Sequence, residues 1–153
     1  MALADKFREI LAEYRADLAN MEKRRSPTDG LLGFGRGRGD DPCHDSLDSR
    51  TAALLREAQE APPEEGAALM RELLRAPEEG AWPEHAYLML IALQRHSLGL
   101  ISRLSAADAE ELAAWQQKTY PFYRRLPVQK DVLRALKRQS GKSEQGARSW
   151  KRK

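Results

Sequence analysis

The chain has 153 residues, enough for one domain with a real hydrophobic core, and its 41% apolar and 32% charged composition is that of a folded protein. Two valines, three isoleucines and three threonines leave almost nothing to build a sheet from, and a single cysteine excludes an internal disulfide. The net charge of +3 is unevenly spread: residues 46–119 hold seven basic and twelve acidic side chains, residues 120–153 eleven basic and two acidic.

Leu3 to Arg25 reads as one long helix, with Phe7, Ile10, Leu11, Tyr14, Leu18 and Met21 at 3–4 spacing. Ser26-Pro27-Thr28-Asp29-Gly30 stops it, and a glycine-rich stretch follows to Asp40. Asp41-Pro42 is a helix-start signal, a capping side chain before a proline that suits the first helical position. The second helix runs to about Glu60 with Leu47, Thr51, Leu54, Leu55 and Ala58 inward. Pro62-Pro63 opens a third, through Arg75, burying Leu69, Met70, Leu73 and Leu74.

The fourth helix, from Pro83 to His96 or Ser97, is the most apolar and belongs at the bundle centre, with Gly99 as its C-terminal cap. Ser105-Ala-Ala-Asp108 has capping-box spacing and starts a fifth helix that carries Leu112 and Trp115. Pro121 to Pro127 is bracketed by prolines and reads as extended. A sixth helix, Val128 to Gln139, buries Val128, Val132, Leu133 and Leu136. The basic tail from Ser140 is poor in apolar residues and reads as disordered. The expected fold is all-α: a bundle of about six mostly antiparallel helices over residues 1–139, with a long glycine-rich loop after the first. Its expected core is Phe7, Leu11, Leu18, Leu54, Leu73, Leu88, Ile91, Leu112, Trp115 and Leu133.

Several chemistries are weighed against this frame. The glycine stretch lacks the Lys-Ser/Thr of a phosphate loop, and no strand precedes it as a dinucleotide fingerprint requires. It reads as a flexible loop, with Phe34, Arg36 and Arg38 as possible partner contacts. Cys43 falls in a helix first turn, where backbone N–H groups favour a thiolate, but Asp40, Asp41 and Asp45 oppose that. His85 and His96 lie on one helix face too far apart to share an ion, so Cys43 or His44 would have to join just one of them. Glu64-Glu65, Glu78-Glu79 and Glu110-Glu111 are accounted for as first-turn charges.

The strongest signal is the C-terminal third. Tyr120, Phe122, Tyr123, Arg124 and Arg125 precede a helix whose polar face carries Lys130, Arg134, Lys137 and Arg138. Cations meet acidic groups and aromatics stack on bases or anchor a protein partner. The sequence therefore favours a non-catalytic interaction or regulatory module with a protein partner or a second copy of itself. Nucleic-acid binding through the basic third is the alternative, and an enzyme or metal-binding protein the second alternative. No catalytic residue, metal ligand or cofactor site is assigned. The longest apolar run, Ala86 to Leu93, is far short of the about 20 residues of a membrane span, and the N-terminus lacks a signal region, so the expectation is a cytoplasmic protein that engages no membrane.

Overall fold

The structure, a computed structural model, describes residues 2–24 and 42–151, with side chains over 2–20 and 43–141. Six α-helices are present among the described residues and no strand: α1 Leu3–Arg24, α2 Pro42–Ala58, α3 Pro63–Arg75, α4 Glu84–Ala92, α5 Ala106–Thr119 and α6 Pro127–Lys151. Among the described residues no helix is long and apolar enough to cross a membrane.

Ion pairs and side-chain bonds reveal the helix directions. Lys6 near the start of α1 meets Glu57 at the end of α2 at 2.9 Å, and Glu13 further along pairs with Arg50, so α1 and α2 are antiparallel. Arg8 pairs with Glu72 of α3 while Arg15 reaches Ala81 beyond its end, so α1 and α3 run the same way. Gln139 of α6 donates to the carbonyls of Ser102 and Leu104, just before α5 begins, at 3.1 and 2.7 Å. Because only the seven residues 120–126 join α5 to α6, those two helices are antiparallel and pack along their length.

The core follows the apolar pattern. Phe7, Tyr14 and Leu18 of α1 pack with Leu47, Leu54, Leu55 and Ala58 of α2 and with Leu69, Met70, Leu73 and Leu74 of α3 in one buried cluster. Leu90, Leu93, Leu112, Val132, Leu133 and Leu136 continue it. Leu11 and Trp115, read as core, pack against this cluster partly buried. Across the α3–α5 seam Arg71 bonds Asp108 and Glu111 at 2.9 and 3.0 Å, and its guanidinium holds the Glu111 carboxyl below its ordinary pKa.

Five expectations need correction. Leu88 is 46% exposed, not core. The buried stripe of α4 is Ala86, Leu90 and Ile91, and at 100° per residue Leu88 stands about 200° from Ala86. The fourth helix also ends early: after Ala92 the chain tightens into a 3₁₀ turn, Leu93–Ser97. Gly99 is no left-handed cap, since Gly80 is the sole described residue with positive φ. Finally, Pro121 to Pro127 is not extended throughout, because Phe122–Arg124 is a 3₁₀ turn between extended residues. The last helix, Pro127–Lys151, is longer than the Val128–Gln139 read from the apolar pattern. The side chains of the basic tail past Gly141, and Met21, lie outside the described residues.

Gly80 closes the corner between α3 and α4 at φ +88°. A Cβ there would lie 2.7 Å from Arg15 Nη2. That guanidinium stacks 3.9 Å from the Trp82 ring, whose Nε1 donates to the carbonyls of Ala76 and Glu79 at 3.0 Å each. Gly80→Ala is therefore expected to lose about 1–2 kcal/mol from backbone strain, with disturbance of the Arg15 stack added. A urea titration reads this as a lower midpoint at unchanged slope.

Candidate anionic-partner interface

The α5–α6 connection is built to hold two aromatic rings in solvent. Tyr120 ends α5 and turns inward, 5% exposed, with its ring edge-on to Trp115 at 6.0 Å. Pro121 then sends the chain outward at ψ 154°, and Arg124 N–H closes the 3₁₀ turn on Pro121 O at 2.9 Å. Arg125 folds back to donate through Nε to Tyr120 O at 2.8 Å. The start of α6 is fixed by Pro127 at its first position and by Gln129, whose Oε1 accepts the Leu126 N–H at 2.9 Å. Phe122 and Tyr123, at the tip, are 75% and 83% exposed.

Behind the tip stands a polar anchor. Tyr87 OH donates to Glu78 Oε1 at 2.7 Å. Burial first, and this bond second, push the Tyr87 pKa up to about 12. Burial and the charge of Glu78 also raise that of Tyr120. A phenol with a raised pKa favours the native state while it stays protonated, and an unfolded tyrosine ionises near pH 10. The stability Tyr87 contributes is full below about pH 10 and is lost as pH rises through about 12. Tyr87→Phe should flatten the fall in urea midpoint between pH 9.5 and 11.5; an unchanged slope of midpoint against pH in that window rejects this assignment.

The outward face of α6 continues from the tip. Lys130 Nζ lies 5.7 Å and the Arg125 guanidinium 6.0 Å from the Phe122 ring centre. Lys130, Arg134, Lys137 and Arg138 are exposed at helical spacing, opposite buried Gln129, Val132, Leu133 and Leu136. Arg134 meets Asp131 at 3.5 Å, whereas Arg124, Arg125, Lys130, Lys137 and Arg138 have no carboxylate within ion-pair distance among the described residues. Elsewhere Lys6, Arg8, Arg50, Arg71 and Arg95 are each matched to a carboxylate and Arg15 and Arg103 to backbone carbonyls, while Arg56, Arg75 and Lys118 have no carboxylate within ion-pair distance among the described residues. The structure thus gathers Phe122, Tyr123, Arg124, Arg125, Lys130, Arg134, Lys137 and Arg138 on one surface and removes Tyr120 from it, since a buried ring supports the turn and touches no partner. Phe34, Arg36 and Arg38 lie outside the described residues.

The other weighed residues take separate places. Cys43 is buried in the first turn of α2. His44 and His85 bring their rings to 5.5 Å, and Tyr14 lies 5.6 Å from His44 and 5.9 Å from Trp82. His96 instead sits with Nε2 2.9 Å from Asp48 Oδ1, beside Arg95 on the same oxygen. No group of three or more metal-ligating side chains converges among the described residues. Sequence reasoning missed the Gln129 cap, although a proline at the first helical position and a glutamine at the third signal it. It missed the Glu78–Tyr87 bond too, for which nine residues of separation left no local signal.

Fold and surface together define an all-α bundle with an aromatic–basic face among its described residues. No protein-family model, curated protein or solved structure matches this chain.

Proposed function

We propose that this chain is a non-catalytic interaction module that binds an anionic partner through residues 122–138. The observation that carries the reading is the clustering of charge: five of the six cations between residues 122 and 138 have no carboxylate within ion-pair distance among the described residues, and they stand next to two exposed aromatic rings. Unpaired surface cations attract and orient an acidic partner, and exposed aromatics beside arginine are the usual anchors of binding surfaces. The turn that presents them is held by Arg125, Gln129 and the two prolines, so little ordering is needed on binding.

Salt elution from immobilised heparin, a generic polyanion, tests the reading. The combined variant Lys130→Ala, Arg134→Ala, Lys137→Ala, Arg138→Ala is expected to elute at clearly lower salt than the parent chain, with the same far-UV dichroism. Each lost contact should lower the log–log salt slope by about 0.7–0.9. If the variant and the parent elute together, the charge that matters lies elsewhere and the reading is wrong.

A further inference from the structure

We infer that the partner of this face is a single-stranded nucleic acid, bound with little sequence preference. The inference rests on the reading above and adds the chemistry of the partner. Between residues 122 and 138 the exposed side chains are Phe122, Tyr123, Arg124, Leu126, Pro127, Lys130, Asp131, Arg134, Lys137 and Arg138. Two are flat aromatic rings, five are cations and one is an acid. The apolar members all belong to one end, at the turn, and the cations run from there along the helix.

That division matches a polymer which alternates flat bases with phosphates. A base offers Phe122 or Tyr123 a π face, which a carboxylate does not, and phosphates offer the stripe a regular row of charge. A protein interface is built differently, around a central apolar patch from which lysine is depleted. Here Lys130 and Lys137 lie within the stripe, and the exposed apolar residues lie at its edge. From Lys130 to Arg138 the helix rises about 12 Å, the length of three to four stacked nucleotides at about 3.4 Å each. Lys130, 5.7 Å from the Phe122 ring, joins the two halves, so a base on the ring brings its phosphate to the head of the stripe.

Single strands are indicated because a duplex hides its base faces, and rings at the tip of a turn reach only bases that are unstacked. Weak sequence preference follows from the side chains present. Base edges are read mainly by amides, by hydroxyls and by arginine held in a fixed fork. Both glutamines of this region are used internally, Gln129 on Leu126 N–H and Gln139 on the carbonyls of Ser102 and Leu104.

Fluorescence anisotropy of the full chain with four labelled probes tests this: a dT 12-mer, a U 12-mer, a 12-base-pair duplex and a 12-residue polyglutamate, each at 50 and 200 mM salt. Both single strands are expected to bind several-fold more tightly than the duplex, with a log–log salt slope near −3. The double variant Phe122→Ala, Tyr123→Ala should weaken single-strand binding by about tenfold or more with the slope unchanged, and Phe122→Ala combined with Tyr123→Trp should retain part of it. Both rings are exposed, so these variants leave the core intact, and far-UV dichroism checks that. Binding of polyglutamate without the oligonucleotides overturns the nucleic-acid inference and leaves the anionic-partner reading standing. Binding of no probe overturns both. A duplex bound as tightly as the single strands, or a double variant that binds like the parent, overturns the stacking role.

Discussion

Truncating Phe7 to alanine should remove about 3–5 kcal/mol of stability, a large share of the about 5–15 kcal/mol that holds a domain of this kind together. Phe7 is fully buried in the cluster shared with α2 and α3, and it is the largest apolar side chain that α1 contributes. Its removal takes apolar area out of the core and leaves a cavity that rigid neighbouring helices fill only in part. Besides its packing and the Arg15 and Tyr14 contacts, α1 is linked by the ion pairs Lys6–Glu57, Arg8–Glu72 and Glu13–Arg50, whose side chains are mostly well exposed. Pairs of that kind contribute about 0–1 kcal/mol each. Urea titrations of Phe7→Ala and Lys6→Ala compare the two directly. If Lys6→Ala costs as much as Phe7→Ala, α1 is held by charge and the packing account fails.

The second large effect is expected at Arg103. It sits in the short turn Ile101–Arg103, and its Nη1 and Nη2 donate to the carbonyls of Ala58 and Ala61 at 2.6 and 3.1 Å. Ala58 ends α2, where carbonyls lack helical partners and carry the negative end of the dipole. Gln59 Nε2 crosses the same gap the other way to Gly99 O at 2.9 Å. Arg103→Met keeps the aliphatic stem and loses both donors, for an expected cost of about 2–4 kcal/mol, since bonds from a charged donor contribute about 1.5–3 kcal/mol each and water recovers part. Arg103→Lys should recover less than half, because one ammonium does not span two carbonyls as a planar fork does. A lysine variant as stable as the parent would show that charge, not the fork, matters.

Where a helix has a single apolar stripe, its phase is legible from the chain. Leu47, Thr51, Leu54, Leu55 and Ala58 were read as one inward face, and all five are buried. Ser105 also accepts the Asp108 N–H at 3.1 Å as the capping pattern requires, while the Asp108 carboxylate turns to Arg71 instead of completing the box. Helix α4 fails for the opposite reason: apolar on nearly every side, it offers no phase, and Leu88 fell on the wrong face. The glycine assignment failed because a left-handed residue is chosen by the path of the chain, and it was Gly80 that had to make room for Arg15. In the candidate interface the cationic stripe was legible from its spacing. The inward turn of Tyr120 was not, because it carries the ring towards Glu78 and Tyr87, which are distant in sequence.

Cys43 has a practical consequence. It is the chain's one cysteine and is buried among the α1–α2 core side chains. A thiol reagent in solution therefore reaches it most readily when the start of α2 opens from the core, and its labelling rate becomes a clock for that opening. The parent chain needs no added probe for this measurement, and the same clock, run on Phe7→Ala, tells whether loosening the α1 core also speeds that opening.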